Sequence, residues 1–146
     1  QFREKETGKI YWAITAEMPP KPEDHLVHFL AKNEGQNKSY VVKEGSKNAK
    51  KAILNYKHIG SSDKYQLLEI ELETGRHHQI RCQLATIGCT IKGDLKYGAK
   101  RSNPDGSIHL HARRLSFLHP TTKERITVTA PVPKESLWKH FETAIG

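Results

Sequence analysis

A chain of 146 residues has the size of one ordinary domain, which can bury a hydrophobic core without help from disulfides or metals. It carries 24 lysines and arginines against 16 aspartates and glutamates, and this net charge of +8 favours a polyanionic partner, nucleic acid ahead of a membrane surface. No apolar run reaches the roughly 18 residues of a membrane span and no signal peptide opens the chain, so the sequence predicts a cytoplasmic protein.

The first half of the chain is predicted to form strands. A strand at residues 9–16 ends in the proline-rich stretch 18–24, and short strands follow at 25–32 and 39–43. Residues 49–59 and 64–72 are joined by a turn at 60–63 and form the best hairpin in the sequence. Tyr11 and Trp12 are consecutive in the first strand, so their side chains should lie on opposite faces of the sheet.

The hydrophobic period then changes from strand to helix. Ile80, Leu84 and Ile87 share one helical face, Thr74 is a candidate N-cap, and Gly88 suits the position after the helix. This assignment places Arg76 and His77 in the first turn, beside free backbone amides. A cation there opposes the helix dipole, so Arg76 is either a solvated residue at a helix start or awaits an anion.

The second half adds strands at 108–117 and 125–130, and a terminal helix from Ser136. Mainly strands with two helices predict an α+β fold with an antiparallel or mixed sheet, in one domain over residues 1–146 without repeats. The polar start, which lacks an initiator methionine, indicates an interior piece of a longer protein. Sheet edges left open by such a cut could pair with another copy, giving a dimer or a swapped assembly.

Cysteines and histidines raise the question of a disulfide or a metal site. Cys82 and Cys89, seven residues apart around one predicted helix, are poorly placed for a disulfide and form no CxxC pair, so we expect free thiols. Several histidines and Asp94 could supply metal ligands, but no HExxH or comparable framework contains them, and we predict no metal. The histidines considered are His77, His78, His109, His111 and His119.

A basic cluster follows the predicted helix. Residues 92–125 contain eight lysines and arginines against three acidic residues. Loops and a strand edge with interleaved aromatic side chains could follow an RNA backbone and stack on bases, although an ordinary solvated face would have the same composition. The predicted RNA contacts in this cluster are Lys92, Lys96, Tyr97, Arg113 and Arg114.

Three motifs in order resemble those of RluA-type pseudouridine synthases: KIYWA at residues 9–13, LETGRHHQIR at 72–81, and IKGD at 91–94 with Tyr97-Gly98 behind it. The resemblance extends from near residue 1 to about residue 130. It implies a pseudouridine-synthase-like fold and isomerisation of specific uridines in structured RNA, ribosomal or transfer, to pseudouridine. It also implies that no metal or cofactor takes part.

The same resemblance assigns roles to single residues. Tyr11 corresponds to the active-site tyrosine that packs against the target base, and Arg76 to the arginine that pairs with the catalytic carboxylate. His78, Gln79 and Arg81 match the rest of the motif and are predicted to contact RNA. A flipped base needs an aromatic surface, and a carboxylate beside a guanidinium stays ionised, which agrees with both catalytic assignments.

The resemblance also has departures. Cys82-Gln83 stands where the family often has Val-His, and Thr90 where it often has proline. The essential aspartate of the family lies in a His-Arg-Leu-Asp motif upstream of the tyrosine, and none of the four aspartates here has that context. We therefore expect this chain alone to be inactive, as a piece of a larger enzyme. The alternative is a non-catalytic RNA-binding module of the same fold. The four aspartates are Asp24, Asp63, Asp94 and Asp105.

Overall fold

The computed structural model describes residues 7–145 and contains a seven-stranded sheet with two α-helices. The polar start at residues 1–6 and the final Gly146 lie outside the described residues. The strands are β1 (Thr7–Thr15), β2 (Glu23–Asn33), β3 (Lys38–Val42), β4 (Lys50–Ser61), β5 (Gln66–Leu72), β6 (Leu110–Leu118) and β7 (Arg125–Thr129). The helices are α1 (Gln79–Thr86) and α2 (Ser136–Ile145), with a 3-10 turn at Leu95–Tyr97.

The strands lie in the order β3-β2-β4-β5-β1-β6-β7, and each neighbouring pair among them is antiparallel. The predicted α+β class is therefore confirmed, and so is the β4–β5 hairpin, which carries an irregularity between His58 and Gly60. At Gly60 an added Cβ would lie 3.3 Å from the Phe141 ring, so a residue without a side chain lets α2 pack closely against β4.

Clusters of buried hydrophobic residues cover both faces of the sheet. On one face, α1 packs through Ile80 and Leu84 onto β1, β4 and β5, and the Tyr11 ring lies against this core. On the other face, α2 packs through Trp138 and Phe141 onto Trp12. Tyr11 and Trp12 therefore face opposite sides, as strand alternation predicts. No helix within residues 7–145 is both long and apolar enough to cross a membrane.

The pairing of β1 with β6 contains a bulge. Ile10 lies opposite Arg114 while Tyr11 lies opposite Ala112, so Arg113 is an extra residue on β6. Arg113 packs its guanidinium 4.4 Å above the Trp12 ring, and Arg114 contacts Glu69, which accepts the Trp12 indole N–H. Both arginines consequently point to the face that α2 covers, although simple alternation would have separated them.

The predicted start of α1 was wrong, and its end is confirmed. The helix begins at Gln79 after His78, so Arg76 and His77 precede it and the dipole argument does not apply to them. Thr74 does not cap the helix, because its hydroxyl oxygen accepts the Ile53 amide. At the other end Gly88 adopts φ 88°, its N–H bonds to the Ala85 carbonyl, and the next residue's amide bonds to the Leu84 carbonyl.

Candidate functional site

The turn between β5 and α1 is organised by the buried amide side chain of Gln79. Its Oε1 accepts the Arg76 backbone N–H at 2.9 Å and the Thr74 hydroxyl at 2.8 Å, while its Nε2 donates to the Ile53 carbonyl at 3.0 Å. Gln79 is 3% exposed, so its amide groups are occupied inside the protein. These bonds give Gln79 a structural role that fixes the backbone at Arg76, and its contact with RNA stays a prediction.

A network of four polar side chains follows along α1. The Arg81 guanidinium binds both oxygens of Asp94, at 2.9 and 2.8 Å, and Asp94 is 1% exposed. Arg81 also donates to His78 Nε2 at 3.1 Å, and His78 Nδ1 lies 2.9 Å from the Tyr97 hydroxyl. The Arg81 guanidinium further lies 5.1 Å from the centre of the Tyr97 ring. The motif residues His78, Arg81 and Tyr97 are thus tied to one buried carboxylate.

The protonation state of His78 follows from its partners. Arginine can only donate, so His78 Nε2 must be an acceptor, and the proton sits on Nδ1 facing the Tyr97 oxygen. Burial, together with the nearby positive charge of Arg81, lowers the pKa of His78 from 6.5 to about 4. His78 is therefore neutral at physiological pH. It also holds φ 52°, a left-handed conformation that is uncommon for residues other than glycine.

The β2–β3 hairpin closes over this network. His77 stacks on His78 with ring centres 3.8 Å apart, and its Nδ1 lies 2.8 Å from the Ser39 hydroxyl, which also donates to the His77 carbonyl. The Ser39 backbone N–H donates to the Tyr97 hydroxyl at 2.8 Å. Lys96 donates to the Gln36 and Asn37 carbonyls at the hairpin tip. Lys96 and Tyr97, both predicted RNA contacts, therefore hold the hairpin against α1.

The loop after α1 positions Asp94 and explains the IKGD motif physically. Lys92 N–H donates to the Ile14 carbonyl, and Asp94 N–H donates to the Ile91 carbonyl. Gly93 holds φ 87°, and a Cβ there would lie 2.6 Å from the Asn103 amide nitrogen. Only glycine fits this crossing without displacing its neighbours, so the motif is a tight passage that delivers a buried carboxylate to Arg81.

Tyr11 lies on the same face of the sheet as α1. Its ring is half-buried against the core that includes Ala13 and Ile70, and its hydroxyl bonds to no residue in the part of the chain that the structure describes. A half-buried ring with an unengaged hydroxyl offers a surface for a planar partner. The environment of Tyr11 is compatible with the base-packing role that the resemblance implies, and that role stays a prediction.

Arg76 is not adjacent to Tyr11. Its Nε donates to the Lys51 carbonyl at 2.8 Å. Tyr56 of β4 and Tyr11 of β1 both pair with Ile70 of the intervening strand β5. Lys51 lies five residues before Tyr56 along β4. Strand geometry puts the Lys51 and Tyr11 backbones about 20 Å apart. One base cannot contact both side chains at that distance. None of the described aspartates bonds to Arg76, so its pairing with a catalytic carboxylate stays a prediction.

The basic cluster of residues 92–125 is largely engaged within the protein. Arg113 is 6% exposed and donates to the Ala130 carbonyl and to Glu142. Arg114 contacts Glu69 at 3.5 Å, and Lys92 donates to Asn103 at 2.7 Å. The two arginines also face away from Tyr11 because of the bulge. The structure therefore favours structural roles for Arg113, Arg114 and Lys92 over the RNA contacts that the composition suggests.

The histidines are dispersed over both faces. His109 is buried on the α2 face between Asn103 and Glu135, at 2.9 and 3.0 Å, and it stacks on Trp138. Burial lowers the pKa of His109, and the Glu135 carboxylate opposes that shift. Within residues 7–145 no three His, Cys, Asp or Glu side chains are grouped to hold a metal. Cys82 and Cys89 are both buried free thiols.

Sequence reasoning missed an open groove on the α1 face. It is lined by lysines of β2 and β4 together with the 75–77 turn, and it has a volume of about 460 Å³. Its cations are Lys32, Lys50 and Arg76. The three residues are far apart in the sequence, and only the pairing of β2 with β4 and the turn after β5 bring them together.

Comparison with protein families supplies independent information. The family model described as RNA pseudouridylate synthase matches residues 1–86. An uncharacterized RNA pseudouridine synthase from Synechocystis is 30% identical over 145 residues, covering 97% of this chain and 42% of the relative. A second one from Synechocystis is 33% identical over 153 residues, covering 98% and 52%. A ribosomal large subunit pseudouridine synthase D from Zymomonas mobilis is 28% identical over 144 residues, covering 92% and 44%.

Solved structures agree on the fold. Human RNA pseudouridylate synthase domain containing 4 superposes with a TM-score of 0.73 at 23% identity, covering 95% of this chain and 62% of that one. Human RNA pseudouridylate synthase domain containing 1 gives a TM-score of 0.67 at 24% identity, covering 91% and 58%. The chain thus spans about half the length of the relatives from Synechocystis and Zymomonas, and its sheet has the architecture of these domains.

Proposed function

Because the chain belongs to the RNA pseudouridine synthase family, we propose that it forms part of an enzyme that converts specific uridines in RNA to pseudouridine. The match of the family model to residues 1–86 carries this proposal, since that range contains both Tyr11 and the TGRHHQIR motif. In this isomerisation the bond between ribose C1′ and base N1 breaks, and C1′ then bonds to C5 of the same base. The proton at C5 leaves to solvent and N1 takes up a proton in its place, so substrate and product are isomers and the reaction is formally cofactor-free.

Tyr11 is proposed to support the target base. A uridine taken out of its stack loses contacts with neighbouring bases, and an aromatic ring replaces them at about 1–3 kcal/mol per base. The half-buried ring of Tyr11 and its unengaged hydroxyl support this role. The network of His78, Arg81, Tyr97 and Asp94 is proposed to hold α1 and the β2–β3 hairpin in the arrangement that the bound RNA requires.

The nucleophile is proposed to come from a segment that matches the remaining part of the relatives. The described aspartates have other roles: Asp94 is held by Arg81, Asp105 bonds to Ser107, and Asp24 accepts the His25 amide. Asp63 lies in the exposed turn between β4 and β5. Arg76 remains the predicted partner of the absent carboxylate. This chain alone is therefore proposed to be inactive.

Release of tritium from RNA labelled at uridine C5 tests the proposal. We expect no release by this chain alone, and release by a longer form of the protein that carries a His-Arg-Leu-Asp motif upstream. In that longer form, Tyr11→Ala should abolish most activity, whereas a ring-retaining Tyr11→Phe should still bind the substrate RNA. Release by the chain alone would refute the argument about the nucleophile, and no release by either form would favour the RNA-binding module.

The finer assignments belong to the same proposal. A ribosomal or transfer RNA is the proposed substrate, and the similarity to a ribosomal large subunit pseudouridine synthase from Zymomonas mobilis supports a ribosomal one. The cytoplasm is the proposed location, which the two buried free thiols support because they require no oxidising compartment. Pairing of two copies through the sheet edges at β3 and β7 is the proposed route to a dimer.

A further inference from the structure

The groove beside Arg76, here named the Arg76 groove, is built from three separate parts of the chain. The end of β2 and the start of β3 form one wall, the start of β4 and the preceding loop form another, and the 75–77 turn closes it. It opens on the same face of the sheet as Tyr11 and α1. The lining residues are Leu30, Lys32, Glu34, Ser39, Asn48, Lys50, Gly75, Arg76 and His77.

Positive charge dominates the lining. Three cations face one carboxylate, that of Glu34, which is 83% exposed and lies 3.2 Å from Lys32. No residue within 7–145 pairs with the ammonium of Lys50, nor with those of Lys43, Lys47 and Lys51 close by in the sequence. Arg113, Arg114 and Arg125 of the 92–125 cluster, by contrast, are bound to internal acceptors. The groove therefore presents cations to an external anion on the α1 face.

The Arg76 guanidinium is held by one hydrogen bond, and its other donors have no partner among the described residues. Its Nε is held by the Lys51 carbonyl at 2.8 Å and its backbone N–H by Gln79 at 2.9 Å, so the side chain has little freedom left to lose. Neither Nη atom contacts another residue within the described part of the chain. A guanidinium presented in this way offers a paired set of donors, which matches the geometry of two phosphate oxygens.

Hydrogen bonds hold the side chains that line the groove on the hairpin side, and the groove is unobstructed at Gly75. His77 is bonded to Ser39 and Asn37, which fixes the hairpin wall. Burial lowers the pKa of His77, and the nearby Lys32 charge lowers it further, as expected for a site with positive potential. Around Gly75 an added Cβ would meet no atom within 4 Å, so the groove is unobstructed there.

We propose that the Arg76 groove binds the phosphodiester backbone of a single-stranded RNA segment, several nucleotides away from the base that Tyr11 contacts. The inference rests on the proposed function, because it takes RNA as the partner. The separation of about 20 Å between the Lys51 and Tyr11 backbones makes the groove a site for the flanking strand rather than for the reacting nucleotide. Because Arg76 is also the predicted partner of the catalytic carboxylate, the contacts to the flanking strand are assigned to Lys32 and Lys50, and the loss of these two lysines is expected to raise KM with kcat unchanged.

Salt dependence of RNA binding tests the site on this chain. The variant Lys32→Gln/Lys50→Gln removes two cations of the groove, and Lys57→Gln is the matched control. Lys57 lies on the same strand as Lys50 but on the opposite face, and it is exposed without a partner in the described structure. Binding of a labelled single-stranded RNA is measured at several salt concentrations. Thermal unfolding of each variant checks that the fold is kept.

Each phosphate neutralised on a single strand contributes about 0.7 to the slope of log K against log salt, so the double variant should lower its magnitude by about 1.4. Lys57→Gln should leave the slope unchanged. Equal slopes for the wild type and the double variant would overturn the groove while leaving RNA binding, and thus the proposed function, intact. If the wild type binds no RNA, the RNA partner fails together with the groove.

Gly75→Glu gives a second, independent perturbation. Because nothing lies within 4 Å of the Cβ position, this substitution adds a carboxylate to the groove without disturbing the packing. Gly75→Gln is its control, with nearly the same volume and no charge. We expect the glutamate variant to bind RNA at least tenfold more weakly than the glutamine variant at low salt. Equal affinities for the two would overturn the proposal.

Discussion

Replacing Asp94 by alanine should strongly destabilise the fold. The carboxylate is 1% exposed and forms two bonds of 2.8–2.9 Å to Arg81, whose side chain is 21% exposed. Removing one member of a buried pair costs about 3–5 kcal/mol, and the partial access of Arg81 to water reduces this to about 2–4 kcal/mol. The same change frees the Arg81 side chain that donates to His78, so the contacts between α1 and the β2–β3 hairpin are weakened as well.

Thermal unfolding by circular dichroism measures this effect. A loss near 3 kcal/mol corresponds to a fall in Tm of about 6–12 °C for a domain of this size. Asp94→Asn keeps one oxygen acceptor and should lose less. Asp63→Ala removes an exposed carboxylate from the β4–β5 turn and should change stability by less than about 0.5 kcal/mol. Similar Tm values for Asp94→Ala and Asp63→Ala would refute the stabilising role of the ion pair.

Three further predictions concern α1 and the loop after it. The pKa of His78, lowered to about 4 by burial and Arg81, means that only the unfolded chain binds this proton between pH 6.5 and 4. The contribution of His78 to the free energy of unfolding is complete above pH 6.5 and falls by about 1 kcal/mol by pH 5, after discounting for solvent screening. The variant His78→Asn should flatten the pH dependence of this free energy, measured by urea unfolding, between about pH 6.5 and 5. An unchanged pH dependence would contradict the lowered pKa. Gly93→Ala should cost about 2–4 kcal/mol in urea unfolding, because its Cβ would meet Asn103. Gly106→Ala is the control and should cost about 1 kcal/mol, since Gly106 has a similar φ but no atom within 4 Å of the Cβ position. Equal losses for the two variants would rule out the steric clash at Gly93. Gln79→Leu should cost about 1–3 kcal/mol in the same assay, because the Arg76 N–H and the Thr74 hydroxyl lose their acceptor, while the Ile53 carbonyl keeps the Glu73 N–H. A loss below about 0.5 kcal/mol would contradict the role of Gln79 in holding the turn.

The strands could be predicted because their information is local. Alternation of apolar and polar residues located β4 and β5, and Gly60–Asp63 marked the turn between them. The start of α1 was misplaced for a physical reason. Threonine is a residue type that often caps helices, but the Thr74 hydroxyl accepts the Ile53 backbone N–H from β4. The side chain of Gln79 accepts the Arg76 backbone N–H in the turn instead. Such long-range partners leave no trace in a local pattern.

The binding surface was harder to predict than the fold. Counting charges along the chain placed the basic surface at residues 92–125, whereas Arg113 and Arg114 are bound by Glu142 and Glu69 from distant elements. The groove cations come from β2, β4 and the turn after β5, and their proximity depends on strand pairing. Tyr11 was identified through the motif, and alternation predicted only that it faces the side opposite to Trp12; the structure shows that this is the α1 side.

The single extra residue in β6 makes the length of this strand part of the packing between the sheet and α2. Deleting Arg113 would give β1 and β6 a continuous ladder, and Arg114 would then take the place above Trp12. The residues beyond the deletion would keep their partners on β1, because Ile10 already lies opposite Arg114, but the bonds of Arg113 to the Ala130 carbonyl and to Glu142 of α2 would be lost. Shortened or chimeric versions of this domain must therefore preserve the residue count between Ala112 and Arg114, even where they freely exchange the loops at either end.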